Sequence, residues 1–201
     1  MSHREFAVTW DYRCPFARNF WEHVLDGLTA GADWDVTFAP FSLDQAHVEE
    51  GEADVWDRTD PAPGLLAMEA GIAVRDRFPD QLTTAHRALF QARHDRGLDL
   101  RDPEIVGRVL DEAGLDSATV MSDVAGGRPR ETFHKDHDRV VADHGVFGVP
   151  TLIVGDRAVF VRVMNRPDGD AGIAVRTVER ALDLVDSWPE LNEFKHTTIP
   201  R

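Results

Sequence analysis

The chain between residues 65 and about 144 carries helical periodicity and no strand signal, while the segments on both sides of it are rich in β-forming residues. Apolar residues recur at helical spacing over residues 65–90, and Asp102 followed by Pro103 is typical of an N-cap and a first helical turn. A helical stretch flanked by strands restricts the chain to folds in which helices are inserted into a core that contains a sheet.

The N-terminal segment predicts a β-α-β unit. Residues 6–10 are rich in β-formers and bounded by polar residues, which indicates a buried strand. Pro15 suits the first position of a helix, because its missing N–H has no partner to lose there. Residues 34–40 alternate in polarity and predict a second strand, parallel to the first through a right-handed crossover. The helix between the strands has an apolar stripe at Phe16, Phe20, Val24 and Leu28.

Strand signals return after Gly145. Residues 151–154 and 158–161 lie on either side of a glycine-containing turn and predict a hairpin, and residues 171–186 have helical spacing. The predicted fold class is therefore α/β, with β-α-β before a helical insertion and β-β-α after it. The predicted units are a discontinuous core (1–50 and 145–190), an inserted helical domain (51–144) and a C-terminal tail (191–201).

Composition narrows the function classes. The chain has 201 residues and a net charge of −14, from 22 Lys and Arg against 36 Asp and Glu. Such an acidic chain repels phosphate backbones and anionic lipids, so we expect no nucleic-acid or membrane partner. No apolar run approaches the length of a membrane span, and the N-terminus shows no signal peptide, so we expect a cytoplasmic protein.

The single cysteine, Cys14, excludes an internal disulfide, a CxxC dithiol and a cysteine zinc cluster. It lies between the first predicted strand and the helix that begins at Pro15. Helix N-termini favour anions, so we predict a thiolate with a lowered pKa, in a partly exposed position and aided by Arg13 and Arg18. The alternative is a buried, inert thiol. The His-rich segment 134–144 lacks a characteristic metal-binding spacing, so no metal site is predicted.

Two motifs resemble the DsbA-like branch of the thioredoxin superfamily. The sequence WDYRCPFA (residues 10–17) is similar to the segment that joins the first strand to the active helix, and GVFGVPTLIVG (residues 145–155) is similar to the cis-proline segment. This branch includes DsbA-type oxidoreductases, kappa-class glutathione transferases and 2-hydroxychromene-2-carboxylate isomerases. The tail WPELNEFK (residues 188–195) resembles a cytosolic subgroup that includes mycothiol-dependent reductases. The resemblance implies a thioredoxin fold with a helical insertion.

The resemblance also implies roles for individual residues. The Val149–Pro150 bond is expected to be cis, with Pro150 across from Cys14 and the Val149 backbone pairing with an extended thiol co-substrate. Pro15 at the helix start is expected to belong to the substrate or co-substrate site. Tyr12 and Phe16 are candidate walls of an apolar substrate site, with ordinary core packing as the alternative for both. His86 and His94 are candidate proton donors to the site.

One departure from the dithiol members decides the mechanism. Ala17 stands where those members carry the second cysteine, so the thiol that would resolve a mixed disulfide within the chain is missing. A single thiol still exchanges with small thiols through a mixed disulfide. Oxidised small thiols should therefore add once to Cys14 and stay, with no internal disulfide.

Three functions follow from these observations. The first is a cytosolic thiol-dependent oxidoreductase, in which Cys14 reacts with a small thiol and a small-molecule substrate. The second is a glutathione-transferase-like or isomerase-like enzyme, in which Cys14 only orients the thiol. The third is a non-catalytic thioredoxin-fold binding module. We expect no tightly bound cofactor, with mycothiol or glutathione as the co-substrate; the oligomeric state is not predicted.

Overall fold

The computed structural model describes residues 3–58, 63–193 and 195–196. Its sheet has four strands in the order β2-β1-β3-β4: β1 (Arg4–Trp10), β2 (Trp34–Pro40), β3 (Thr151–Val154) and β4 (Arg157–Phe160). β1 and β2 are parallel, whereas β3 is antiparallel to both β1 and β4. The predicted α/β class is confirmed, although β1 begins two residues earlier than predicted and β4 lies one residue nearer the turn.

The helices follow the predicted order along the chain. They are α1 (Pro15–Thr29), α2 (Leu43–Ala46), α3 (Leu65–Arg77), α4 (Leu82–His94), α5 (Pro103–Glu112), α6 (Ser117–Ala125), α7 (Arg128–His144) and α8 (Ala171–Ser187), with a 3₁₀ turn at Pro79–Gln81. Residues 65–144 are fully described and contain no strand, as predicted. Asp102 caps α5, and α7 ends at Gly145 in the left-handed conformation (φ 62°) that glycine tolerates best. The short helix α2, capped by Ser42, was not predicted.

One hydrophobic cluster joins the sheet to α1 and α8. Its buried members come from three strands and both helices: Phe6, Val8, Phe20, Val24, Trp34, Leu152, Val178, Leu182 and Val185. At Gly27 a side chain would overlap the ring of Trp34, so α1 approaches β2 as closely as it does because this residue lacks one. This packing fixes the orientation of α1, whose N-cap residue is the cysteine.

A second, larger cluster spans the carboxyl end of β1 and the helices of residues 65–144. Trp10, Tyr12 and Trp21 belong to it, together with Leu65 and Phe90 from α3 and α4. Cys14 and Val149 belong to the same cluster, so the thiol lies at the edge of the shared core. No helix in the described ranges is long and apolar enough to cross a membrane. Of the tail, residues 194 and 197–201 lie outside the described residues.

Candidate active site

Cys14 is the N-cap of α1. The chain leaves β1, turns so that the Cys14 N–H donates to the Asp11 carbonyl at 3.0 Å, and enters the helix at Pro15. The Cys14 sulfur accepts a hydrogen bond from the Ala17 N–H at 3.4 Å. This N–H is one of the first-turn donors that have no partner within the helix. The predicted position of the cysteine at the helix start is therefore present in the structure.

The segment around Pro150 lies against this sulfur. The Val149–Pro150 bond is cis, and the Cys14 thiol donates to the Val149 carbonyl across 3.2 Å. Antiparallel pairing of β1 with β3 brings the two segments together although 135 residues separate them. The Thr151 N–H donates to Thr9 Oγ1 at 2.8 Å and ties the start of β3 to β1. The sequence-predicted residues Cys14, Val149 and Pro150 thus form one site.

The prediction of a partly exposed sulfur with a lowered pKa is wrong. Cys14 is only 8% exposed, and burial raises the pKa of its thiol above the ordinary value. The amides of Ala17 and Phe16 act in the opposite direction, as does the charge of Arg162, but they do not overcome desolvation. The bond to Val149 also favours the protonated form. Sequence could place the thiol at a helix dipole but could not show how deeply it would be covered.

Alkylation of Cys14 should report this raised pKa. Thiolate is the reacting form, so the iodoacetamide rate should keep rising with pH beyond the free-cysteine value of about 8.5. At neutral pH the folded protein should react more slowly than the same chain in urea, where Cys14 is solvated. Rates measured across pH with intact mass as the readout would test this. A plateau below the free-cysteine value would contradict it.

Arg13 and Arg18 do not assist the thiol as predicted. Arg13 pairs with Asp44, and Arg18 is held by Asp95 at 2.5 and 2.8 Å and by Glu22 at 2.9 Å. Both guanidinium groups are occupied by carboxylates, and the positive charge that lowers the pKa of the Cys14 thiol is that of Arg162. They fasten the helix start to the rest of the molecule.

Asp11 organises the turn that presents the cysteine. Its carboxylate is buried and accepts hydrogen bonds from the Arg13 N–H at 2.8 Å and the Leu43 N–H at 2.9 Å. Burial raises the pKa of this carboxyl, and its negative charge in turn raises the pKa of the Cys14 thiol. Sequence analysis did not single out Asp11, although a carboxylate two residues before a turn amide is a known local signal.

Tyr12 belongs to the core and does not line an open surface. Its side chain is 1% exposed, packs against Phe90 with ring centroids 4.9 Å apart, and its hydroxyl lies 2.6 Å from His86 Nδ1. The interpretation as ordinary core packing therefore applies to this residue. Pro15, by contrast, is exposed at the first position of α1 beside the sulfur.

The two histidines considered as proton donors are hydrogen-bonded to Tyr12, whereas the Cys14 sulfur is hydrogen-bonded to Val149 and Ala17. His86 is fully buried among aromatic rings, and burial lowers its pKa to about 3. His94 hydrogen-bonds the Tyr12 carbonyl at 2.9 Å, and burial lowers its pKa as well. Both imidazoles are therefore neutral near pH 7. They hold the chain before Cys14 in place through Tyr12.

His86 should make the protein sensitive to acid. Its pKa falls from 6.5 to about 3 on folding, so between these values the unfolded chain binds a proton that the folded chain does not. The free energy of unfolding should therefore decrease as the pH falls through this window, by up to about 1.4 kcal/mol per pH unit from this group. Urea unfolding between about pH 6.5 and pH 5 would measure the slope.

In the variant His86→Gln, the free energy of unfolding should depend less steeply on pH, by up to about 1.4 kcal/mol per pH unit, because glutamine does not titrate. The variant His47→Gln is the matched control, since it removes an imidazole that is exposed to solvent and not buried. Equal slopes in the wild-type protein and His86→Gln would contradict the assignment.

Part of the surface beside the thiol was not predicted from the sequence. The Arg162 guanidinium lies over the Phe16 ring, 4.7 Å from its centroid, and 5.8 Å from the centroid of Phe160. Phe147 packs against Phe160 with centroids 5.4 Å apart and is 73% exposed. Phe16 thus remains a candidate wall of the site. Pairing of Thr151 with Phe160 in the predicted hairpin was the signal that could have revealed this surface.

Comparisons with known proteins give a matching family and a relative. The family model of the DSBA-like thioredoxin domain matches residues 7–166. An uncharacterized protein of Mycobacterium tuberculosis, Rv2286c, is 27% identical over 190 residues, which cover 94% of this chain and 80% of that protein.

Two solved structures share the fold. A 2-hydroxychromene-2-carboxylate isomerase superposes with a TM-score of 0.62 at 14% identity, covering 90% of this chain and 96% of that one. Reduced DsbA1 from Neisseria meningitidis gives a TM-score of 0.56 at 17% identity, covering 89% of this chain and 85% of that one. At these identities the likeness concerns the fold.

Proposed function

The chain belongs to the DsbA-like thioredoxin family, and from this premise we propose that it is a thiol-dependent oxidoreductase that works with Cys14 alone. Its co-substrate is a low-molecular-weight thiol such as glutathione or mycothiol. The observation that carries the proposal is the meeting of the Cys14 sulfur, the first-turn amides of α1 and the Val149 carbonyl at the edge of the core. Nothing in this set requires a second cysteine or a bound cofactor.

The exchange has two balanced steps. In the first, the Cys14 thiolate attacks a small disulfide, the new sulfur–sulfur bond forms as the old one breaks, and one small thiol leaves with the proton. In the second, the thiolate of a different small thiol attacks the mixed disulfide, and a sulfur–sulfur bond forms between the two small molecules as the bond to Cys14 breaks. Cys14 then takes up the proton that the attacking thiol gave up. Ala17 offers no sulfur for an internal step, so the external thiol must complete the cycle.

The protein supplies position and charge stabilisation to this reaction. The Ala17 N–H points at the sulfur and stabilises the negative charge once the proton has left. The Val149 carbonyl accepts a hydrogen bond from the thiol in the resting state and has a second lone pair for a donor on the co-substrate. A co-substrate amide bound there would lie along the chain next to Pro150, in the manner of an added strand.

Intact mass after exposure to glutathione disulfide or mycothiol disulfide tests the proposal. We expect one adduct per chain, located at Cys14, and complete removal by added small thiol. The variant Cys14→Ser is the matched control and should show no adduct. If neither disulfide modifies the folded protein while both modify the urea-unfolded chain, the oxidoreductase proposal is wrong.

A second candidate function is favoured by one observation, the raised pKa of Cys14. A protonated thiol has one hydrogen bond to donate, so Cys14 would turn from the Val149 carbonyl to orient the thiolate of a bound co-substrate for a transferase or isomerase reaction. The two functions differ in their response to serine, which also donates a hydrogen bond but does not form a mixed disulfide. Retention of thiol-dependent turnover in Cys14→Ser would select the second. Absence of any such turnover in the wild-type protein would indicate a binding module.

A further inference from the structure

A positively charged aromatic surface lies between the thiol helix and the cis-proline segment. We call it the Arg162 surface, and it consists of the side chains of Phe16, Phe147, Phe160 and Arg162. The Val161 N–H donates to the Pro150 carbonyl at 3.0 Å, so the residue before Arg162 is fastened to the site. Phe16 is two residues beyond Cys14 on α1. The surface is therefore continuous with the reacting sulfur.

The flat face of the Arg162 guanidinium packs on aromatic rings, and its N–H groups have no hydrogen-bond partner among the residues that the structure describes. The guanidinium lies over the ring of Phe16 and near that of Phe160, and the side chain is exposed. Within the described residues no carboxylate forms an ion pair with it, whereas Arg13 and Arg18 near the same helix start are both paired. Stacking of this kind orders a guanidinium without using its N–H groups.

We propose that Arg162 binds a carboxylate of the small thiol or disulfide that reacts at Cys14, so that the site selects anionic co-substrates. The inference rests on the proposed function and names its substrate class. Phe16 and Phe147 would contact the apolar part of the same molecule. A co-substrate with carboxylates, such as a thiol peptide, fits this surface better than an uncharged sugar thiol.

Because the chain as a whole is negatively charged, the binding of an anion at this site depends on the local cation Arg162. At a net charge of −14, the protein repels anions over most of its surface. A carboxylate-bearing co-substrate therefore needs an unpaired cation at its docking position. Arginine meets this need well, because its planar donors match both oxygens of a carboxylate. The same positive charge lowers the pKa of Cys14, in opposition to burial.

A charge series of symmetrical disulfides tests the inference. Dithiodipropionate is anionic, hydroxyethyl disulfide is neutral and cystamine is cationic, and the adduct of each on Cys14 is counted by intact mass. The readout is the rate of Cys14 modification by the anionic disulfide divided by the rate with the neutral disulfide. A change in the thiolate fraction of Cys14 alters both rates equally and cancels in this ratio. We expect Arg162→Gln to lower this ratio by about three- to fivefold and to raise the rate with cystamine relative to that with the neutral disulfide.

Three controls complete the experiment. Arg180→Gln removes the same charge from α8 and should leave the ratio unchanged. Arg162→Lys should restore part of the ratio, and added salt should reduce it in the wild-type protein. An unchanged ratio in Arg162→Gln overturns the inference while adduct formation upholds the proposed function. Failure of all three disulfides to modify Cys14 overturns the proposed function itself.

Discussion

Replacing Cys14 with serine should lower the rate of exchange between a small thiol and a small disulfide to the uncatalysed background. The expected loss is about a thousandfold or more, the scale on which removal of a nucleophile acts. The chain has no second cysteine that could take over the reaction. The structure should persist, since the serine hydroxyl can still donate to the Val149 carbonyl in place of the thiol.

A coupled assay that follows formation of oxidised small thiol measures this loss. Cys14→Ala is the companion variant, because it removes the hydrogen bond to Val149 as well as the sulfur. The two variants should be equally inactive if Cys14 is the nucleophile. Activity in the serine variant well above that of the alanine variant would show that a hydrogen-bond donor suffices.

Replacing Gly71 with alanine should destabilise the protein by about 3 kcal/mol. The added methyl group would overlap the Tyr12 hydroxyl and lie 3.1 Å from two carbons of its ring. Tyr12 is enclosed by Phe90 and His86 and cannot move without losing its hydrogen bond to His86. Urea unfolding with intrinsic tryptophan fluorescence would measure the change in free energy.

Gly107→Ala is the matched control. Gly107 lies inside helix α5, and a side chain there would meet nothing within 4 Å. Alanine should therefore stabilise the helix by about 0.5–1 kcal/mol, through its lower cost in backbone entropy. If Gly71→Ala proved as stable as Gly107→Ala, the close packing of Tyr12 against α3 would be wrong. Tyr12 lies two residues before the thiol, but the unfolding measurement alone decides this test and needs no measurement of Cys14 alkylation.

Most of the fold could be predicted because local sequence signals specify its helices and strands. The alternation of residues 34–40 and the proline at the start of α1 need no distant partner to act. The same holds for Asp102, whose carboxylate caps α5 from a neighbouring position. The short helix α2 was missed because four residues are too few for a periodic pattern.

The candidate site was predictable in its backbone but not in its electrostatics. Cys14 and Pro150 were found through their motifs, and β1–β3 pairing joins them. The pairing of Arg18 with Asp95 crosses 77 residues of chain, and no local pattern reveals it. Likewise, the depth of Cys14 depends on the coverage of the site by residues far along the chain, such as Val149. Burial at that depth raises the pKa of Cys14, whereas the helix dipole alone would lower it.

The position of Arg162 illustrates the same limit. Its residue type gives no sign of function, because arginine is common on the surface of this chain. Its link to the site depends on the fold. β4 places Phe160 beside the cis-proline segment, and the Arg162 guanidinium lies over Phe16. Sequence reasoning would have needed the exact hairpin register to anticipate this contact.

A chase experiment tests most directly whether one cysteine can complete a catalytic cycle. The protein is first loaded with glutathione at Cys14, freed of excess disulfide, and then mixed with isotopically labelled glutathione while intact mass is followed. We predict that the adduct persists without added thiol. We also predict that on mixing it is discharged at least as fast as the enzyme turns over, with release of one mixed-isotope disulfide per chain. An adduct that survives the chase, or leaves far more slowly than turnover, would contradict the single-thiol mechanism.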